Sequence, residues 1–175
     1  RGPDHLRWST PWSTRQNDEE YRFRRNLANK LGKKGWLFPM FPKKYGGAGL
    51  TSDHQMVLET ELASYGLNLS HVFYTLARIV APVVLKWGSE EQKLEFLPPM
   101  TRGDISVWQV LTEPHGGSDI ANCQTKAIRD GDSYVVNGQK TMVGHHLPPD
   151  YVWTLVCTDP GGKRHENLGW LHVPA

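Results

Sequence analysis

The chain has 175 residues, 38% of them hydrophobic, and a mean hydropathy of -0.52, values typical of a soluble globular protein with one or two small cores. Its 20 basic and 18 acidic side chains leave a net charge of +2, and no run of five or six lysines and arginines occurs, so the footprint of a nucleic-acid-binding protein is missing. The longest apolar stretch, residues 72–85, contains Arg78 and Pro82 and is shorter than the roughly 20 residues of a membrane span, so none is predicted.

The chain is predicted to begin with a loose segment and a charged helix. Residues 1–17 are rich in polar residues and proline, which favours an irregular lead-in. Over residues 18–34, Tyr21, Leu27 and Leu31 form a thin apolar stripe, and Gly35 is a glycine stop, so we expect an exposed helix. A loop with unusual backbone angles is predicted next, from Pro39, Pro42, Gly46, Gly47 and Gly49.

A second helix is predicted from a capping box and a glycine stop. Ser52 is followed three residues later by Gln55, and apolar residues then recur at helical spacing up to Gly66. A further apolar stripe between Leu69 and Val84 predicts a core helix that is kinked or restarts around Pro82.

The last predicted helix begins at Ser89. Glu90 lies in its first turn and Gln92 at the capping-box position, which together indicate a helix start. Pro98-Pro99 is expected to end it, because proline cannot donate a backbone hydrogen bond.

Beyond Gly103 the apolar segments shorten to strand length, which predicts a change from helices to strands. Asn137-Gly138 indicates a hairpin turn between two of them. We therefore predict an α+β chain with a helical unit over residues 18–103 and a β unit over residues 104–175. The predicted strands are residues 105–111, 125–129, 134–136, 140–143, 151–158 and 168–173.

The densest cluster of special residues is the segment 112–119, directly after a predicted strand. Gly116-Gly117 lets backbone N–H groups approach a ligand closely, and Ser118 adds a hydroxyl, which suits a phosphate or pyrophosphate. The alternative is a tight turn in which Ser118 and Asp119 bond their own backbone. A Walker loop is excluded because no Gly-Lys-Ser/Thr follows, and a nucleophile elbow because Ile120 replaces its last glycine.

The cysteines and histidines predict no metal site. Cys123 and Cys157 lack the C-x-x-C spacing of a zinc or redox site, and we expect two packed or idle thiols in a reducing compartment. His145-His146 with Asp150 has no second ligand cluster. The chain starts with Arg1. It shows no charged segment followed by an apolar segment, so no signal peptide is predicted.

Four blocks in this order resemble the acyl-CoA dehydrogenase family, and the resemblance extends over residues 19–173. They are Gly35-Trp36-Leu37 with residues 45–49, residues 88–93 through Leu97-Pro98-Pro99, residues 111–114 with Gly117-Ser118-Asp119, and Asn137-Gly138-Gln139-Lys140. The resemblance implies an N-terminal helical domain, a middle antiparallel β-barrel domain that is incomplete here, and a C-terminal helical bundle that is absent from these residues. It also implies a cytoplasmic protein, or a mitochondrial matrix protein in a eukaryote.

The resemblance implies that FAD binds to the loop after the first strand. Ser118 would also touch the CoA part of the substrate. The family usually has Trp-Ile-Thr where Met142, Val143 and Gly144 stand, and often an aromatic residue where Gln109 stands, so the flavin face is expected to be altered. The implied FAD contacts are Gln109, Leu111, Thr112, Gly117, Ser118, Met142, Val143 and Gly144.

The implied reaction is α,β-dehydrogenation of an acyl-CoA thioester to an enoyl-CoA. An α proton goes to a general base while the β hydrogen leaves as hydride to the flavin. The family carries this base on its C-terminal helical domain, so no residue here is assigned the role, and the 175-residue piece is expected to be inactive alone. Glu113 is the only carboxylate in the Thr-Glu-Pro motif and an alternative base, but in the family this glutamate helps shape the loop. Implied partners are acyl-CoA, electron-transfer flavoprotein or a similar acceptor, and further subunits of a homo- or hetero-oligomer.

Three alternatives remain open. The first is a degenerate, non-catalytic subunit of a dehydrogenase complex, suggested by Met142 and Gly144. The second is an acyl-CoA oxidase or a flavin monooxygenase on the same fold. The third concerns His115, which stands where the family often has glycine and is expected to be an exposed loop histidine, with a substrate or ribityl contact as the alternative.

Overall fold

A computed structural model describes residues 18–67, 79–143 and 148–175 of the chain. The described residues form two compact units. The first comprises the residues up to Ser106 together with Pro148, and the second comprises the residues from Val107 onward, apart from Pro148. The first unit is helical and the second contains the strands, so the predicted α+β class is confirmed.

Helix α1, Asp18–Lys33, is the first described element, and it ends two residues before the predicted glycine. Gly35 has a φ of +71°, and the N–H of Trp36 donates to the Leu31 carbonyl at 2.8 Å, the bond that closes a glycine-terminated helix. The buried residues of α1 are Arg24, Ala28, Leu31 and Gly32, which share one face of the helix. The apolar stripe predicted from the sequence therefore contained only one of these four, Leu31.

The proline- and glycine-rich loop is joined to a later helix by buried hydrogen bonds. It contains a 3-10 turn, Lys43–Tyr45, followed by Gly46 at a φ of +88°, so the predicted unusual backbone is confirmed. Tyr45 is buried, and its hydroxyl donates to the Glu90 carboxylate at 3.0 Å. The Thr101 hydroxyl donates to the Tyr45 carbonyl at 2.7 Å. These bonds hold the loop against both ends of the helix that carries Glu90 and Thr101.

Helix α2, Ser52–Ser64, starts one residue away from the predicted cap. The prediction that Ser52 caps it is wrong, because Thr51 has the extended backbone of the N-cap residue and Ser52 is already helical. The Thr51 hydroxyl bonds His54 Nδ1 at 2.7 Å, and Gln55 donates to Glu59, so no capping box forms. The predicted end is confirmed, since Gly66 has a φ of +71°.

Two further helices follow among the described residues of the first unit, α3 over Ala81–Trp87 and α4 over Glu90–Thr101. Pro82 lies in the first turn of α3, which directly follows the π-helical residues 79–80. Residues 69–76 of the predicted stripe lie outside the described residues. The capping box of Ser89 and Gln92 is confirmed.

The prediction that Pro98-Pro99 ends α4 is wrong. Both prolines lie inside the helix, which continues to Thr101. Their carbonyls still accept hydrogen bonds, from Arg102 N to Pro98 at 3.1 Å and from Asp104 N to Pro99 at 3.0 Å, so the last turn closes although two N–H donors are missing. None of the described helices is long and apolar enough to cross a membrane.

The second unit is a five-stranded mixed sheet built around β4. Its strands are β1 Val107–Val110, β2 Lys126–Asp130, β3 Ser133–Asn137, β4 Tyr151–Cys157 and β5 Leu168–Pro174. β4 pairs in parallel with β1 and, at one residue, with β2, whereas β5 runs antiparallel along it. The predicted antiparallel barrel is therefore not what the described strands form: only β2–β3 and β4–β5 are antiparallel, and the sheet is open.

The predicted hairpin at Asn137-Gly138 is also wrong. The hairpin of β2 and β3 turns at Gly131, which has a φ of +60°, and Asp130 pairs with Ser133 across it. Residues 140–143 form no strand. Gly138 has another role, because a Cβ there would lie 2.6 Å from the Thr125 Cα, so only glycine fits at this close approach.

Replacing Gly138 by alanine is expected to lower the free energy of unfolding by about 1–3 kcal/mol, because the added methyl forces the backbone of Thr125 to move. The matched control is Gly161→Ala, whose new Cβ would find its nearest atom, Asp159 Oδ1, at 3.8 Å. That change should stay within about 0.5 kcal/mol. Urea denaturation followed by circular dichroism measures both, and equal losses for the two variants would contradict the packing role of Gly138.

Candidate functional site

The loop after β1 is a closed turn that leaves its glycines accessible. Glu113 N donates to the Gly116 carbonyl and Gly116 N to the Glu113 carbonyl, both at 3.0 Å. Gly116 is exposed, and a Cβ there would meet nothing within 4 Å. Gly117 is half-buried against Thr112, whose Cγ2 would lie 3.0 Å from an added Cβ. Gly116 therefore faces open space, whereas Gly117 packs closely on Thr112.

The tight turn that we considered as the alternative to an anion-binding loop is present, but Ser118 and Asp119 are not the residues that close it. Glu113 and Gly116 close it, while Asp119 forms an ion pair with Arg164 at 2.5 Å. Within the described ranges, the N–H groups of Gly117 and Ser118 donate to no backbone carbonyl. Two consecutive donors on a loop are therefore available to an anion.

Glu113, inside this loop, is a buried carboxylate surrounded by donors. It is 4% exposed and accepts hydrogen bonds from the Thr125 hydroxyl at 2.5 Å, Gln124 N at 2.7 Å, Thr125 N at 2.8 Å and Lys140 Nζ at 2.9 Å. Burial alone would raise the pKa of Glu113, but the bonds from Thr125, Gln124 and Lys140 outweigh it and hold the pKa well below its usual 4.5. A carboxylate so engaged is a poor proton acceptor, which argues against Glu113 as the base.

The segment after β3 is brought beside the loop by backbone and side-chain contacts. Thr141 N donates to the Thr112 carbonyl at 2.8 Å, and Lys140 Nζ reaches the Leu111 carbonyl at 3.2 Å. The structure therefore brings two of the predicted cofactor contacts, Leu111 and Thr112, next to the segment that contains Met142 and Val143.

The other predicted contacts differ in exposure. Met142 is 86% exposed with a φ of +56°, and Val143 is half-buried. Gln109, half-buried, lies on β1 opposite Trp153. Ser118 is exposed, and Gly144 lies outside the described residues.

His115 turns back toward its own loop. Its Nε2 lies 3.2 Å from Glu113 Oε2 and 3.3 Å from the Asn122 carbonyl, and its side chain is 42% exposed. This geometry agrees with an exposed loop histidine that braces the turn.

The two cysteines are free thiols. Burial raises the pKa of Cys123, and its hydrogen bond to Glu113 also raises it, while the charge of Lys140 lowers it. Cys123 is therefore a protonated donor at neutral pH. No cluster of metal-binding side chains occurs among the residues the structure describes, and His145-His146 lies outside them.

Lys140 and Thr125 are the site residues that the sequence did not predict. Lys140 belongs to the Asn-Gly-Gln-Lys motif and Thr125 starts a predicted strand, yet both donate hydrogen bonds to the Glu113 carboxylate. A lysine close after Asn-Gly and a glutamate inside a glycine-rich loop could have suggested an ion pair. The two residues are more than twenty positions apart, and no local spacing rule connects side chains at that distance, so the sequence did not predict the pair.

The sequence matches two family models in consecutive order. Residues 10–104 match the N-terminal domain of acyl-CoA dehydrogenases, and residues 109–175 match the middle domain. The chain belongs to the acyl-CoA dehydrogenase family. The two matched ranges contain all four motif blocks.

Relatives and solved structures agree with this assignment. The acyl-CoA dehydrogenase FadE26 of Mycobacterium tuberculosis (strain ATCC 25618 / H37Rv) is 39% identical over 155 residues, covering 87% of this chain and 38% of that protein. The Tcur3481-Tcur3483 steroid ACAD is 37% identical with a TM-score of 0.73, covering 86% of this chain and 38% of that one. The ChsE4-ChsE5 complex from Mycobacterium tuberculosis is 38% identical with a TM-score of 0.70, with the same two coverages, 86% and 38%. The chain thus spans less than two fifths of the length of each.

The pH dependence of stability should report on Glu113. Because its folded pKa lies below 4.5, its stabilisation is complete above that pH and is lost as the pH falls below it. Glu113→Gln should therefore flatten the acid side of the stability curve, by up to about 1.4 kcal/mol per pH unit. Urea midpoints measured from about pH 3 to about pH 6 test this, with the exposed Glu95→Gln as the control. An unchanged slope in Glu113→Gln would disprove the role of the buried carboxylate.

Proposed function

We propose that the protein is an FAD-dependent oxidoreductase that removes hydrogens from the α and β carbons of an acyl-CoA thioester. The observation that carries this proposal is the loop 111–118, which presents free backbone N–H groups beside the segment that contains Met142 and Val143. Membership of the acyl-CoA dehydrogenase family supports the reaction class.

The loop fits a pyrophosphate for reasons of space and charge. An added Cβ on Gly117 would lie 3.0 Å from Thr112 Cγ2, so glycine lets the turn pack this closely on Thr112. Gly116 beside it faces open space from which a ligand can approach. The N–H groups of Gly117 and Ser118 can then bind phosphate oxygens, and the Ser118 hydroxyl can reach the CoA part of the substrate. We assign Gln109, Leu111, Thr112, Met142, Val143 and Gly144 to the flavin side of the same site.

A cavity of about 360 Å³ beside the loop suits the polar end of CoA. Its lining includes Asn122, Lys126, Arg164 and Asn167, which offer two positive charges and two amides. CoA carries several phosphate groups, which such side chains bind well. Arg164 is also paired with Asp119, the residue after Ser118, so the cavity adjoins the loop.

Bound FAD would supply the hydride acceptor, and the protein would orient the substrate and handle the proton. Backbone N–H groups that point at the thioester oxygen would stabilise the negative charge that develops there. Glu113 is engaged by five donor groups and is not the base. We propose that the base lies in the family's C-terminal helical domain, so that residues 1–175 alone turn over no substrate, and that electron-transfer flavoprotein or a similar protein reoxidises the flavin.

A non-catalytic subunit is the second candidate, and Met142 favours it. The family usually has tryptophan at this position, and the methionine here is 86% exposed. One solved relative is a two-component complex, so a hetero-oligomer with an active partner is a specific form of this alternative.

Flavin content distinguishes the two candidates. We expect the full-length gene product to purify with the visible absorption of a flavin. A panel of acyl-CoA substrates should bleach this absorption without oxygen, and an added electron acceptor should restore it. Colourless, folded protein would favour the non-catalytic subunit. Rapid reoxidation by oxygen after bleaching would favour an acyl-CoA oxidase or a monooxygenase.

Adjacent glycines provide a matched pair of variants. Gly117→Val should weaken FAD binding by about tenfold or more, because the side chain would collide with Thr112 and block approach to the backbone. Gly116→Ala, in open space one residue away, should bind FAD within about twofold of wild type. Titration of flavin-depleted protein with FAD measures both affinities. Equal affinities for the two variants would mean that the pyrophosphate lies elsewhere.

A further inference from the structure

Lys140 is a nearly buried lysine whose contacts all point inward. Its side chain is 11% exposed. Nζ donates to Glu113 Oε1 at 2.9 Å, to the Leu111 carbonyl at 3.2 Å and to Cys123 Sγ at 3.5 Å. An ammonium group has three N–H donors, so these three acceptors use all of them. Lys140 therefore has no donor left for a phosphate of FAD.

The same lysine connects two segments that are far apart in sequence. On one side, Glu113 and Leu111 belong to the loop after β1. On the other side, the residue after Lys140, Thr141, donates its N–H to the Thr112 carbonyl at 2.8 Å. One ion pair and two hydrogen bonds thus fix the loop to the segment that continues into Met142 and Val143.

We propose that Lys140 is a positioning residue, which together with Glu113 holds the loop 111–118 and the segment 141–143 in the mutual arrangement that FAD binding requires. This inference rests on the proposed function for its cofactor, but the tie between the two segments concerns the protein alone. Lys140 touches neither cofactor nor substrate in this proposal.

Burial makes this ion pair different from the surface pairs of the same unit. Lys163 and Glu166 are 2.6 Å apart, yet their side chains are 78% and 67% exposed. Such a pair contributes little, because water screens it and both side chains lose rotational freedom. Removing Lys140 instead leaves the Glu113 charge buried with one partner fewer, and the loop loses the contact to Leu111.

The test compares Lys140→Met with Lys163→Met in the full-length protein. Lys140→Met should raise the dissociation constant for FAD by about tenfold or more, whereas Lys163→Met should stay within about twofold of wild type. Amide hydrogen exchange, followed by mass spectrometry on flavin-depleted protein, should become faster in residues 111–118 and in residues 141–143 together. Faster exchange in neither segment, or in only one, would overturn the proposal.

A double variant separates positioning from stability. Lys140→Met combined with Glu113→Gln removes the uncompensated charge, so the melting temperature should recover relative to Lys140→Met alone. The affinity for FAD should remain low, because the tie is still missing. Recovery of both quantities would show that Lys140 only stabilises the fold and would overturn its positioning role.

Failure of the proposed function gives a different result. If wild-type protein binds no FAD, the cofactor assignment is wrong, and hydrogen exchange in the Lys140→Met variant still decides whether the two segments are tied. If wild type binds FAD and both lysine variants bind it equally well, the cofactor assignment stands and the positioning role fails.

Discussion

The structure of the second unit depends on one buried negative charge. The carboxylate of Glu113 is 4% exposed, and a charge removed from water is tolerated only where donors surround it. Thr125 donates both its N–H and its hydroxyl, and the Thr125 carbonyl accepts from Cys157 N at 2.7 Å in the central strand. The carboxylate is thus connected to the central strand β4 through Thr125. The position of the loop follows from the position of β4.

The bond between Thr125 and Glu113 explains why Gly138 and the turn at residues 113–116 both affect residues far from them in sequence. Gly138 packs on Thr125, so the absence of its side chain lets Thr125 reach Glu113. The turn from Glu113 to Gly116 is closed on its inner side by its own backbone, while Gly116 and Ser118 remain exposed. A loop that is fixed on one side and open on the other can bind an anion without first losing much conformational freedom.

The sequence predicted those parts of the fold that depend on neighbouring residues. Ser89 and Gln92 cap a helix by contacts three residues apart, and Gly35 ends another within one turn, so both were found. Pairings between distant residues were not found: Val107 lies parallel to Tyr151, and no pattern in either strand specifies that direction. The glycine loop was located correctly from its composition. Its anchor, Lys140, was not assigned, because burial and partner choice arise only when the sheet has formed.

The backbone at Met142 is held in place by its neighbour, which leaves the side chain at this position free to differ. A residue other than glycine at a φ of +56° has a strained backbone, which costs on the order of 1 kcal/mol. That conformation persists because Thr141, just before it, is held by Thr112. Methionine is unbranched at Cβ and adapts to such a position better than a β-branched residue, and its thioether is polarizable. The backbone contacts therefore determine where this segment lies. In the proposed site, the side chain at position 142 would set the chemical character of that wall, and a change of residue there would leave the buried Glu113 network in place.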